Sequence, residues 1–133
     1  MSAVDQTVLI IDDNDDEVLI ARRILAKTGL KIRTEVASSG KAGIELLEGE
    51  GTLPSLIMID LKMPGMSGVE TLRRIRADKR FAGIPVIIAT NSSLSSDRQE
   101  AIDAGADVFL QKAFDIEEYR REVTRLTKCW LKK

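Results

Sequence analysis

A parallel α/β sheet flanked by helices is the fold class this sequence predicts, and three observations predict it. Short, continuous apolar runs rich in branched residues recur along the chain. Amphipathic stretches with readable helix starts separate them. The alternation never breaks, so the elements read βαβαβαβαβα. Short connections and right-handed crossovers then make the strands parallel, with helices on both sides.

Four runs read as strands buried on both faces: TVLII (Thr7–Ile11), LIMI (Leu56–Ile59), VIIA (Val86–Ala89) and VFL (Val108–Leu110). KIRTEVA (Lys31–Ala37) alternates instead, with Ile32, Thr34 and Val36 set against Arg33 and Glu35. Half-burial at a sheet edge explains that pattern. Among the helices, Ser67-Gly68-Val69-Glu70 is a capping box, in which Ser67 and Glu70 each satisfy an orphan amide. Ser96 with Gln99, and Asp115 with Glu118, predict two further starts. In the last helix Tyr119, Val123, Leu126 and Trp130 share one apolar face. Gly29 and Gly105 serve as helix stops.

Composition narrows the chemistry. The 133 residues, 44% hydrophobic and 31% charged, suit one soluble globular domain over 1–133, without repeat, low-complexity segment or linker. The net charge of −1 sets up no global field that would recruit nucleic acid or an anionic membrane. No apolar run approaches the ~20 residues that span a bilayer. MSAVDQT lacks the basic-then-apolar order of a signal peptide, so the expected location is cytoplasmic. A single cysteine, Cys129, allows neither an internal disulfide nor a thiolate zinc cluster. The chain has no histidine, which excludes Ser-His-Asp and Cys-His nucleophiles and HExxH chemistry. Any metal is therefore held by oxygen, which favours a hard cation such as Mg²⁺.

In a parallel sheet every strand ends at the same rim, where ligands bind as the strand order reverses. The first buried run is followed by Asp12-Asp13, the second by Asp60, the third by Thr90 and the fourth, one residue on, by Lys112. Four strands thus deliver three carboxylates, a hydroxyl and an ammonium to one crevice. Each residue alone has a structural explanation as a turn, cap or solvated charge; the joint pattern does not. Crowded carboxylates repel, and a divalent cation gives them a common counter-charge. Asp13, Asp60 and a backbone carbonyl just beyond Asp60 offer three oxygens to such an ion. The free oxygen of Asp60 is then a nucleophile, with Thr90 and Lys112 suited to the oxygens of an incoming phosphoryl group.

LIIDDND, LIMIDLKMPGMSG, IPVIIATNSS and AGADVFLQKAF resemble the signature segments of the response-regulator receiver domain of two-component signalling. The resemblance covers nearly the whole chain, from Thr7 to the last helix. It implies a flavodoxin-like, doubly wound (βα)₅ fold with strand order 2-1-3-4-5. It makes Asp60 the phosphoacceptor, Asp12 and Asp13 the acidic pair that holds Mg²⁺, and the Lys62 carbonyl a main-chain metal ligand. Thr90 becomes the switch hydroxyl, Lys112 the phosphate-contacting lysine and Phe109 the aromatic switch residue. The donor implied is a phosphohistidine on a sensor histidine kinase or histidine phosphotransfer protein, which fits the absence of histidine here. Self-catalysed phosphorylation and dephosphorylation are implied, without turnover of a separate substrate.

The sequence departs from the family pattern at Ala113, where Pro usually follows the lysine. Lys62 stands next to the acceptor at a position that varies in the family, where it either shields a phosphate or is solvated; Ser92, two after the switch threonine, is small and offers no positioner for an attacking water. In DDNDDE, Asp15, Asp16 and Glu17 are read as helix capping, with attraction of cations or a basic kinase surface as the alternative, and LRRIRADKR as a solvated basic patch. For Cys129 and Trp130 a core contact is expected, with a dimer face as the alternative. The expected output is a downstream protein target or a homodimer, through the fourth helix, last strand and fifth helix. DDNDDEVLIARRIL also resembles single-domain regulators paired with phytochrome-type kinases. A docking module that works without phosphorylation is the competing function, and a Mg²⁺ phosphatase the third. The phosphatase lacks a second acid two residues after Asp60, where Lys62 stands.

Overall fold

The computed structural model describes residues 6–49, 51, 53–92, 94–112 and 115–131. Five strands and five helices alternate among them: β1 (Gln6–Ile11), α1 (Asp15–Ala26), β2 (Ile32–Ala37), α2 (Gly40–Glu48), β3 (Leu56–Asp60), α3 (Gly68–Ala77), β4 (Val86–Thr90), α4 (Ser95–Asp103), β5 (Val108–Gln111) and α5 (Ile116–Trp130). The strands form one parallel sheet in the order β2-β1-β3-β4-β5, the flavodoxin-like arrangement.

Alternation along each buried strand builds the two layers. Leu9, Ile11, Ile57, Ile59, Val86 and Ile88 face a cluster completed by Leu47 of α2, Leu72 and Ile75 of α3 and Ala101 of α4. Val8, Ile10, Leu56, Met58, Ile87 and Ala89 face the opposite cluster, with Ile24 and Leu25 of α1 and Tyr119, Val123 and Leu126 of α5. A strand with apolar side chains on both faces reads as a continuous apolar run, which is why β1, β3 and β4 are legible. β2 does lie at the edge, but Val36 is exposed while Glu35 is half-buried. An edge strand covered on part of each face does not enforce strict alternation.

The helix ends follow local chemistry. Asn14 caps α1 by accepting from the Asp16 and Glu17 amides at 3.0 and 3.1 Å. Ser67 accepts from the Glu70 amide at 3.2 Å, and Asp115 from those of Glu117 and Glu118 at 3.0 and 3.1 Å. The start predicted from Ser96 and Gln99 is corrected: α4 begins at Ser95, Leu94 is its N-cap residue, and no side chain caps it. The nearby hydroxyl of Ser92 accepts from the Leu94 amide instead, at 3.2 Å. Gly29 and Gly105 hold φ of 81° and 109° beyond α1 and α4, as helix stops require.

Candidate functional site

The crevice forms because four parallel strands end at one rim. Asp12 and Asp13 follow β1, Asp60 and Thr90 are the last residues of β3 and β4, and Lys112 follows β5. Asp12 is fixed on both sides: its amide donates to the Ala37 carbonyl at 3.0 Å, and its Oδ1 accepts from the Asn14 amide at 3.0 Å. Asp60 is set by a close helix approach. The Gly68 amide donates to the Leu61 carbonyl at 3.0 Å, and a Cβ on Gly68 would lie 2.3 Å from the Asp60 carbonyl oxygen. Only glycine lets α3 begin there.

Asp12, Asp13 and Asp60 each offer a carboxylate oxygen, and the three lie within 4.8 Å of one another. Lys112 Nζ sits among them, 3.0 Å from Asp12 Oδ2 and 3.6 Å from Asp60 Oδ1. Its side chain is 10% exposed and that of Asp60 11%. Burial pushes the Asp60 carboxyl up to about 6; the Lys112 charge opposes this, while Asp12, Glu17 and Asp13 add to it. Burial works against the Lys112 ammonium, yet its hydrogen bond to Glu17 and the charge of Asp12 hold it above the ordinary lysine range. The arrangement can bind a hard cation through an all-oxygen set and present a carboxylate beside an ammonium.

Thr90 is buried; its hydroxyl accepts from the Ser92 amide at 3.1 Å and its carbonyl from the Lys112 amide at 2.7 Å. Phe109, half-buried in β5, packs against the α2–α3–α4 cluster, with the Arg98 guanidinium of α4 6.0 Å from its ring centre. Lys62 is largely exposed, as the solvated reading expects, and its ammonium lies 3.3 Å from Asp97 of α4. The Ser92 hydroxyl donates to the same carboxylate. That hydrogen bond, ahead of the Lys62 charge, holds the Asp97 carboxyl below the usual range. Ala113 lies outside the described residues.

Two readings of charge runs need correction. Glu17 does more than favour the α1 dipole: its Oε2 accepts from Lys112 at 2.7 Å and its Oε1 from the Asn91 amide group at 2.9 Å. The signal available in the sequence was position, since a helix that starts beside the Asp12-Asp13 rim must carry its first turn over the crevice. Arg76, read as part of a solvated patch, is an internal tie. It donates to the carbonyls of Gly105, Ala82 and Ile84 at 3.0, 3.0 and 2.7 Å, and to Asp107 Oδ2 at 2.9 Å. At the last helix, Trp130 packs on the core as expected, whereas Cys129 is exposed.

Residues 8–124 match the family described as the response regulator receiver domain. The probable methanogenesis regulatory protein FilR2 of Methanothrix harundinacea is 30% identical over 128 residues, covering 93% of this chain and 83% of that protein. The chain spans 16% and 8% of two histidine kinases that it also resembles. Among solved structures, the phosphorylated cyanobacterial phytochrome response regulator RcpA superposes with a TM-score of 0.87 at 22% identity, over 96% of this chain and 95% of that one. The receiver domain of sensor histidine kinase PA1611 from Pseudomonas aeruginosa, which holds a magnesium ion in its active-site cleft, superposes at 0.76 with 25% identity, over 92% and 97%. The strand order, the rim of carboxylates and these matches agree, and the chain belongs to the response-regulator receiver family.

Proposed function

We propose that this chain is a phosphorylation-switched signalling domain that accepts a phosphoryl group on Asp60. The observation that carries the reading is the convergence of Asp12, Asp13 and Asp60 within 4.8 Å, beside a buried lysine, in a receiver domain. The donor is a phosphohistidine of a sensor kinase or histidine phosphotransfer protein. An Asp60 oxygen forms the new O–P bond as the N–P bond breaks, and the imidazole leaves with the electron pair. Thr90 donates its hydroxyl to a phosphoryl oxygen and Lys112 supplies a positive charge.

The donor set fits Mg²⁺: three carboxylates need a counter-charge, and their oxygens suit a hard ion. Asp12, Asp13, Asp60 and the Lys62 carbonyl would hold it. When bound, the ion supplies charge neutralisation for the carboxylates and the phosphoryl oxygens.

Output runs through Thr90 and Phe109 to the surface of α4, β5 and α5, and from there to a protein target or a second copy of the chain. The reading takes 1–133 as a single domain working in the cytoplasm, with no nucleic acid or membrane as partner. Among the described residues no helix is long and apolar enough to cross a membrane. A phytochrome-type kinase is the proposed donor class, supported by the resemblance of DDNDDEVLIARRIL and the fold likeness to RcpA. Acetyl phosphate with Mg²⁺ is expected to add the mass of one phosphoryl group to the wild type and none to Asp60→Asn. An unchanged wild-type mass overturns the reading. Phosphotransfer from a panel of purified kinases then identifies the donor.

A further inference from the structure

Lys112 has three acidic neighbours, and they do not share it evenly. Its ammonium lies 2.7 Å from Glu17, 3.0 Å from Asp12 and 3.6 Å from Asp60. Only the first two distances are those of a charge-assisted hydrogen bond. Glu17 is itself held on its other oxygen by Asn91, the first residue after β4. The carboxylate therefore bridges the start of α1, the β4–α4 loop and the end of β5. A cavity of about 200 Å³, walled by Ile20, Ile116 and Tyr119, opens onto this pair.

We propose that Glu17 is a positioning residue, which with Asn91 parks the Lys112 ammonium away from the Asp60 carboxylate. The proposal rests on phosphoryl acceptance at Asp60 and adds to it a competitor for the lysine. A phosphoryl group arriving on Asp60 must draw Lys112 away from Glu17, and a Glu17 that has lost Lys112 still holds Asn91. Glu17 thus has two opposed effects. Its negative charge strengthens the crevice for a cation, and its hold on Lys112 weakens the crevice for an anion. A group that only supports the fold cannot move these two affinities in opposite directions.

The test uses the full chain and two probes. Mg²⁺ affinity is measured by calorimetry, and affinity for beryllofluoride, an acyl-phosphate mimic, at saturating Mg²⁺. Glu17→Gln keeps the hydrogen-bonding shape and removes the charge. It is expected to weaken Mg²⁺ about fivefold or more and to tighten beryllofluoride by a similar factor. Asn91→Ala, which frees Glu17 from one side while keeping its charge, is expected to leave Mg²⁺ affinity unchanged and to tighten beryllofluoride by a smaller factor. If Glu17→Gln fails to fold, Asn91→Ala decides alone. Wild type that binds beryllofluoride while the variants bind it equally or more weakly overturns the role of Glu17 only. Wild type that binds none overturns acceptance at Asp60, and this proposal with it.

Discussion

Asp60 stores an electrostatic cost in the metal-free protein, and that cost can be measured. Its folded pKa of about 6 lies above the ordinary 3.8, so the folded state holds the proton more tightly than the unfolded chain does. The stability this contributes is fully present below the unfolded value and is lost as pH rises through 6. Asp60→Asn, which cannot ionise, is therefore expected to be more stable than the metal-free wild type at pH 7. The gain is about 1–2 kcal/mol once screening by crevice water is counted, and it shrinks toward pH 4. Urea unfolding at both pH values reads it, and an Asp60→Asn variant no more stable at pH 7 than at pH 4, relative to wild type, contradicts it. Added Mg²⁺ should stabilise wild type more than Asp60→Asn in the same assay. Gly68 is the backbone counterpart. A Cβ there meets the Asp60 carbonyl and the Leu61 backbone, neither of which can swing aside. Gly68→Ala should lose about 1–3 kcal/mol by urea unfolding, and with it phosphoryl acceptance.

At the scale of elements, Arg76 joins what the sheet alone leaves separate. Asp107 Oδ2 accepts from the Val86 amide at 2.8 Å and from Arg76, so the starts of β4 and β5 are tied through one carboxylate to the end of α3. Truncating Arg76 to Ala removes the Arg76 donor from three carbonyls and leaves the Asp107 carboxylate its bond from the Val86 amide. A loss of about 2–3 kcal/mol is expected, and Arg76→Lys should recover only part of it, because an ammonium cannot match the planar fork. The same residue marks the limit of what patterning conveys. β1, β3 and β4, the rim residues Asp12, Asp13, Asp60, Thr90 and Lys112, and the apolar face of α5 were all legible, because continuous burial and fixed strand polarity leave a mark in the linear order. Glu17, Asn91, Asp97 and Arg76 were not. Each acts through a partner far along the chain, 95 residues away for Glu17 and Lys112; the place of Glu17 beside the rim shows that it overhangs the crevice, but not which neighbour will reach it. Val36 was misplaced for a related reason: an edge strand answers to whatever covers it.

Across the molecule, protection from hydrogen exchange should follow sheet position. Amides of β1, β3 and β4, paired on both sides and covered by helices on both faces, should exchange slowest; those of β2 and β5, paired on one side only, should open earlier. An exchange profile in which β5 outlasts β3 would contradict this layout. The two ends of α4 add an asymmetry. Its C-terminal end runs into Gly105, whose carbonyl is gripped by Arg76. Its N-terminal end carries no side-chain cap, and among its buried side chains Ala101 stands alone. What steadies that end is the Ser92–Asp97–Lys62 bridge at the carboxylate rim. The helix is thus held by backbone carbonyl contact at one end and by side chains of its first turn at the other. Were Lys62 or Ser92 to shift, the end of α4 they hold would loosen before the end gripped at Gly105.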